Sequence, residues 1–115
     1  METILQRLMA IDGVVGALLA GKDGLVTAST MESEEEELVG AMAAATYDAT
    51  CRYIEQLGMG EVRHTIIETP GGIVQVTDGG ELLIVVRASS PANLGRIRVE
   101  ALRAAQHLTE QIGSY

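Results

Sequence analysis

Two uninterrupted apolar runs constrain this chain more than any other feature: Val14 to Ala20, reading Val-Val-Gly-Ala-Leu-Leu-Ala, and Leu82 to Val86, reading Leu-Leu-Ile-Val-Val. Both are too short for buried helices, and neither alternates as a half-exposed strand would. Runs of this kind are strands covered on both faces. The fold must therefore hold a central sheet between two layers of helix.

The rest of the chain supplies those layers. Ile4, Leu5, Leu8 and Ile11 recur at helical spacing within a first helix from Thr3 to Ile11, which Asp12-Gly13 stops. Lys22-Asp23-Gly24 reads as a hairpin turn with Gly24 at positive φ, leading into a second strand from Leu25 to Ser29. Ser33 with Glu36 forms a capping box, and the acidic run Glu34 to Glu37 suits the first turn of a long helix reaching Leu57, where Gly58-Met59-Gly60 breaks it. Val62 to Thr69, Ile73 to Thr77 and Leu82 to Ala88, separated by Pro70-Gly71-Gly72 and Asp78-Gly79-Gly80, read as a meander of three antiparallel strands. Ser90-Pro91 opens a last helix whose face is marked by Leu94, Ile97, Ala101, Ala105, Leu108 and Ile112. The order is α-β-β-α-β-β-β-α, an α/β (α+β) pattern over one domain spanning 1–115.

Composition removes several classes of function. The 115 residues carry a formal net charge of −8 and no basic stripe, which excludes a phosphate-backbone ligand such as nucleic acid. Cys51 stands alone, so neither a disulfide framework nor a cysteine-rich zinc site is expected. No apolar stretch reaches the roughly 18 to 20 residues that cross a bilayer, and no basic flank marks a signal peptide. The expectation is a soluble, cytoplasmic protein without membrane insertion. With 47% apolar residues yet no Phe or Trp, its core must be aliphatic.

The second helix is greasier than one sheet face requires. On a wheel of about 100° per residue its non-polar positions, from Leu38 through Met42, Tyr47 and Tyr53 to Leu57, spread over about 200°. Either the chain's own loops cover the surplus or a symmetry mate does; Gly40, Ala41, Ala43, Ala44, Ala45 and Ala49 leave room for close approach and favour the mate. The third strand should lie at a sheet edge, yet it carries Ile66 and Ile67 with neither Pro nor Lys inside it. Self-association there would be isologous. The expected dimer and partner interface comprises Leu38, Met42, Ala45, Ala49, Tyr53, Arg63, Thr65 and Ile67. Arg63, His64 and Glu68 could form cross-strand pairs or remain ordinary solvated strand residues.

The element order, with Val14 to Ala20 leading through Lys22-Asp23-Gly24, resembles the roadblock/dynein light-chain family. Ala92-Asn93-Leu94-Gly95-Arg96-Ile97-Arg98 is similar to the opening of that family's last helix, where Gly95 would let the helix lie close to the sheet. The resemblance implies a profilin-like five-stranded antiparallel sheet, the long helix on one face and the terminal helices on the other, dimerising through the third strand and the long helix. It further implies a non-catalytic homodimeric platform that binds and regulates a small Ras-like GTPase. The alternative is a structural adaptor subunit in a sensor-kinase or dynein-like motor complex, independent of nucleotide.

Catalysis finds little support. The Gly-x-x-x-x-Gly-Lys-Ser/Thr order of a phosphate loop is missing at Gly21 to Gly24, so the chain is not itself a GTPase. Arg52 or Arg63 could serve as an arginine finger, though either reads more simply as a solvated charge. His64 and His107 lack metal-site spacing, and no serine sits in a nucleophile elbow. No cofactor is expected. Cys51 reads as a small buried hydrophobe, or as a residue that meets its copy across a dimer axis; the acidic run complements the helix dipole, or draws a basic partner.

Overall fold

The computed structural model describes residues 2–89 and 94–113. Its elements are α1 (Glu2–Met9), β1 (Val14–Gly21), β2 (Val26–Ser29), α2 (Ser33–Gln56), β3 (His64–Thr69), β4 (Gly72–Asp78), β5 (Leu82–Ala88) and α3 (Leu94–Gly113). They follow the expected order. The five strands form one antiparallel sheet in the order β2-β1-β5-β4-β3. The two non-alternating runs are neighbours: Leu18 stands opposite Val85 and Leu19 opposite Ile84.

Each run feeds two cores because successive strand side chains point to opposite faces. Ala17, Leu19, Ile84 and Val86 pack under α1 and α3, against Leu5, Leu8, Ile97 and Leu108. Leu18, Ala20, Leu83 and Val85 pack under α2, against Ala43, Ala44 and Tyr47. A bulge between Val14 and Gly16 interrupts the alternation, so Val15 turns out to solvent while both cores stay in phase.

The α2 layer sits very close to the sheet. A Cβ on Gly40 would lie 2.7 Å from Val26 Cγ2 and 3.0 Å from the Gly24 carbonyl oxygen, and one on Gly24, whose φ is +92°, would lie 3.1 Å from Ala41 Cα. Gly40 therefore serves the helix–hairpin contact, not contact with a second helix. At its other end α2 closes in a Schellman arrangement: the amide of Met59 donates to Ile54 O and that of Gly58 to Glu55 O.

Several expected details differ. The N-cap of α2 is Glu32, whose carbonyl accepts from the amides of Glu35 and Glu36 without a side-chain cap, so Ser33 lies inside the first turn and the capping box is displaced. α1 ends at Met9, because the amides of Ala10 and Ile11 turn back to Gln6 and Leu8. Leu25 belongs to the hairpin turn and is exposed; its amide bonds the Asp23 carboxylate. β3 starts at His64, after Val62. Gly95 is exposed, so close approach to the sheet does not explain it. Ser90, Pro91, Ala92 and Asn93 lie outside the described residues, as does the Ile112 side chain.

Candidate functional site

The face of α2 turned from the sheet is apolar and uncovered. Gly40, Ala43, Ala44 and Tyr47 are buried, whereas Leu38, Met42 and Tyr53 are 64%, 60% and 66% exposed, with Ala45 and Ala49 exposed between them. Among the described residues no loop covers that stripe. Among the described residues β3 runs beside it as an outer strand bonded to β4 alone, so one row of its backbone amides and carbonyls has no strand partner there. Its Ile67 is 46% exposed.

Between helix and edge lies an apolar trough of about 200 Å³, lined by Val39, Met42 and Thr46 from α2, Thr65 and Ile67 from β3, and Val74 and Val76 from β4. Register explains the lining: Thr65 stands opposite Val76 and Ile67 opposite Val74, which puts all four on the α2 face. A second apolar hollow of about 360 Å³, reaching Leu38, Met31 and Arg87, continues it along Val39, Val74 and Val85. Thr65 borders the trough, but its Oγ1 is buried beneath the accessible surface and has no hydrogen-bond partner among the described residues. Of the expected interface residues, Met42, Thr65 and Ile67 line the trough, Leu38 borders its continuation, and Ala45, Ala49 and Tyr53 lie on the stripe. Arg63 precedes β3 with an exposed side chain, while its carbonyl accepts the Asp78 amide at 3.0 Å.

The opposite flank of α2 is polar and fixed from within. The Tyr47 hydroxyl donates to Asp78 Oδ2, with Val62 O at 3.2 Å, and Lys22 Nζ pairs with Asp78 Oδ1 at 3.1 Å while lying 5.7 Å from the Tyr47 ring centroid. Burial and the neighbouring Asp78 hold the Tyr47 hydroxyl protonated well above the usual range. Burial alone would raise Asp78, but the Tyr47 hydroxyl, the Gly80 amide and Lys22 together hold its carboxyl below the ordinary value. The clasp ties α2 to the β4–β5 turn. Sequence spacing gave no sign of it, because Lys22, Tyr47 and Asp78 meet only through the fold.

The fold also places the remaining residues singled out in the sequence. His64 meets its cross-strand neighbour on β4: Nδ1 lies 2.9 Å from Thr77 Oγ1 and 3.3 Å from Gln75 Nε2, on the α3 side. Burial, with Arg98 and Arg63 adding, lowers its pKa. Cys51 is half-buried in the cleft with Tyr47 and Asp48, on the flank of α2 away from the stripe. Arg52 pairs with Asp48 at 3.1 Å on the helix surface. Among the described residues no three of His, Cys, Asp and Glu gather where they could hold a metal, and no helix is long and apolar enough to cross a membrane.

A three-layer α+β module with an uncovered apolar helix beside an open sheet edge is a profilin-like fold of the roadblock type. The Roadblock/LC7 domain model matches residues 1–88, and the chain belongs to that family. The match ends before Ala92 to Arg98, so that resemblance lies outside it. An uncharacterized protein of Methanocaldococcus jannaschii, MJ1340, is 40% identical over 108 residues, covering 93% of this chain and 95% of the relative. Among solved structures, the Roadblock/LC7 domain from Streptomyces avermitilis superposes with a TM-score of 0.91 at 18% identity over 97% of each chain. Myxococcus xanthus MglB does so with a TM-score of 0.89 at 19% identity, covering 98% of this chain and 94% of its own.

Proposed function

We propose that two copies join through α2 and the β3 edge, and that the resulting homodimeric platform binds and regulates a small Ras-like GTPase without chemistry of its own. The observation that carries this reading is the juxtaposition of an exposed apolar stripe, Leu38 to Tyr53, with an unpaired strand edge. Large apolar surface rimmed by charge is characteristic of an interaction face. Membership of the Roadblock/LC7 family and the likeness to MglB support the choice of partner.

In the dimer, pairing of β3 with its copy would satisfy the free backbone groups, and α2 of each copy would cover the trough of the other. Ala41 and Ala45, on the outward rim of the stripe, would remain open to the GTPase. Sedimentation of the purified chain should give twice the chain mass. Titration of small Ras-like GTPases from the same genome, loaded with GDP or a GTP analogue, should show binding that depends on the nucleotide. Nucleotide-indifferent binding, or none, would remove the GTPase from this reading and leave a structural adaptor.

A further inference from the structure

We infer that the hollow between α1 and α3 is a binding site for hydrogen phosphate, held between the guanidinium of Arg7 and the carboxylate of Glu100. The site lies on the helical layer across the sheet from α2, and it stands apart from the dimer and the GTPase proposed above.

The hollow has a volume of about 190 Å³ and draws on one face of each helix. Thr3 and Arg7 are one turn apart on α1, and Glu100, Arg103 and His107 follow at intervals of three and four residues on α3, so their side chains rim one opening. Its floor is Ile4, Leu8 and Ala104, all buried. Charges above an apolar floor interact more strongly than charges surrounded by water. A water molecule takes about 30 Å³, which leaves room for a tetrahedral oxyanion with water beside it.

The rim is electrostatically incomplete. It carries two guanidinium groups against one carboxylate, in a chain whose formal net charge is −8. Among the described residues the Arg7 side chain makes no ion pair and no hydrogen bond, while Glu100 accepts from Arg103 Nη1 alone, at 3.0 Å through Oε1. The Glu100 side chain is only 20% exposed, so few other donors come near its second oxygen. That oxygen is not sealed in, however: the fully enclosed orphans are Thr65 Oγ1 and Gln75 Oε1. A cation on α1 and a carboxylate short of donors on α3 therefore face one solvent-filled gap without meeting.

A ligand that closes the gap has to offer anionic oxygens to arginine and a proton to Glu100. Hydrogen phosphate does both. Its charged oxygens accept from Arg7 and Arg103, whose planar forks suit an oxyanion, and its P–O–H donates to the Glu100 carboxylate. The Thr3 hydroxyl adds a donor at the rim. Sulfate has the same shape but carries no proton at neutral pH, so one of its oxygens would be forced against the carboxylate. Glu100 thus makes the site selective between two anions that arginine alone would treat alike.

The test titrates sodium phosphate, and separately sodium sulfate, into the isotope-labelled full chain at constant pH and ionic strength, with the amide shifts of α1 and α3 followed by NMR. Phosphate should saturate at millimolar concentrations, with sulfate about tenfold weaker or more, the weight of one hydrogen bond to a charged group. Arg7→Gln should weaken phosphate by about tenfold, and Glu100→Gln should close the difference between the two anions. Arg52→Gln, on α2, should leave both affinities as they are. Circular dichroism melts verify that each variant folds. Equal affinities for phosphate and sulfate in the wild type, shifts that never saturate, phosphate binding indifferent to Arg7→Gln, or selectivity that survives Glu100→Gln overturns the inference.

Discussion

Replacing Gly40 with Ala separates two roles that a small residue on α2 could have. The added Cβ would stand 2.7 Å from Val26 Cγ2 and 3.0 Å from the Gly24 carbonyl oxygen, against about 3.5 to 4.0 Å for a comfortable carbon–carbon contact. The Val26 methyl can rotate, but the Gly24 carbonyl is backbone in a tight hairpin. The helix must therefore lift by a few tenths of an ångström or more. Overpacking of this kind costs about 1 to 3 kcal/mol, and two simultaneous contacts, one of them with backbone, put Gly40 in the upper part of that range, at about 2 to 3 kcal/mol, while Ala in place of Gly inside a helix returns about 1 kcal/mol. The net expectation is a loss of about 1 to 2 kcal/mol, or roughly 4 to 8 °C in Tm for a domain of this size. Thermal melts followed by circular dichroism, at two protein concentrations a hundredfold apart, measure it. A contact within one chain gives the same drop at both, whereas a contact between copies gives a drop that shrinks on dilution. A variant as stable as wild type, or a loss confined to high concentration, would refute the assignment of Gly40 to the helix–hairpin contact.

Other perturbations address the surface and its support. Ala49→Arg, which places a charge on the trough-facing arc, should weaken self-association at least about tenfold, more than Ala45→Arg on the outer rim, as read by sedimentation; equal masses for all three proteins would contradict the proposed interface. Tyr47→Phe removes the hydroxyl that bonds the Asp78 carboxylate, and because Lys22 and water still reach Asp78 the loss should stay near about 1.5 kcal/mol in urea unfolding. Stability should also fall on acidification. The folded pKa of His64 is depressed below 6.5, so the unfolded chain takes up more protons in that window, and the stabilisation present above pH 6.5 is lost as pH falls toward the folded value. His64→Gln should flatten the Tm profile between about pH 7.5 and 5.5; an unchanged slope would assign that part of the pH dependence to other groups. Below it, Asp78 acts in the same direction, since its lowered pKa stabilises the fold above the ordinary carboxyl range and is lost in acid.

Much of the fold could be read from local chemistry. The two non-alternating runs identified the central strands, Gly24 and Gly58 marked turns where φ is positive, and the width of the apolar arc on α2 foretold the exposed stripe. Leu38, Met42, Ala45, Ala49 and Tyr53 were legible as a surface because helical periodicity is a property of the sequence itself. The trough was legible only in part. Thr65 and Ile67 were expected at the interface, but Val74 and Val76 join them through the β3–β4 register, which no single strand encodes.

What the sequence determined, then, is which residues must leave water: alternation, its absence, and the excess of apolar arc follow from side-chain chemistry at fixed spacing along the chain. The tertiary structure alone decided what each meets. It turned Gly40 and Cys51 away from the stripe, drew Lys22, Tyr47 and Asp78 into one clasp, and placed His64 beside Gln75 and Thr77. The physical reason is that contacts between distant segments depend on strand register, on one bulge and on how closely a helix can approach the sheet, all of which arise when the layers pack together.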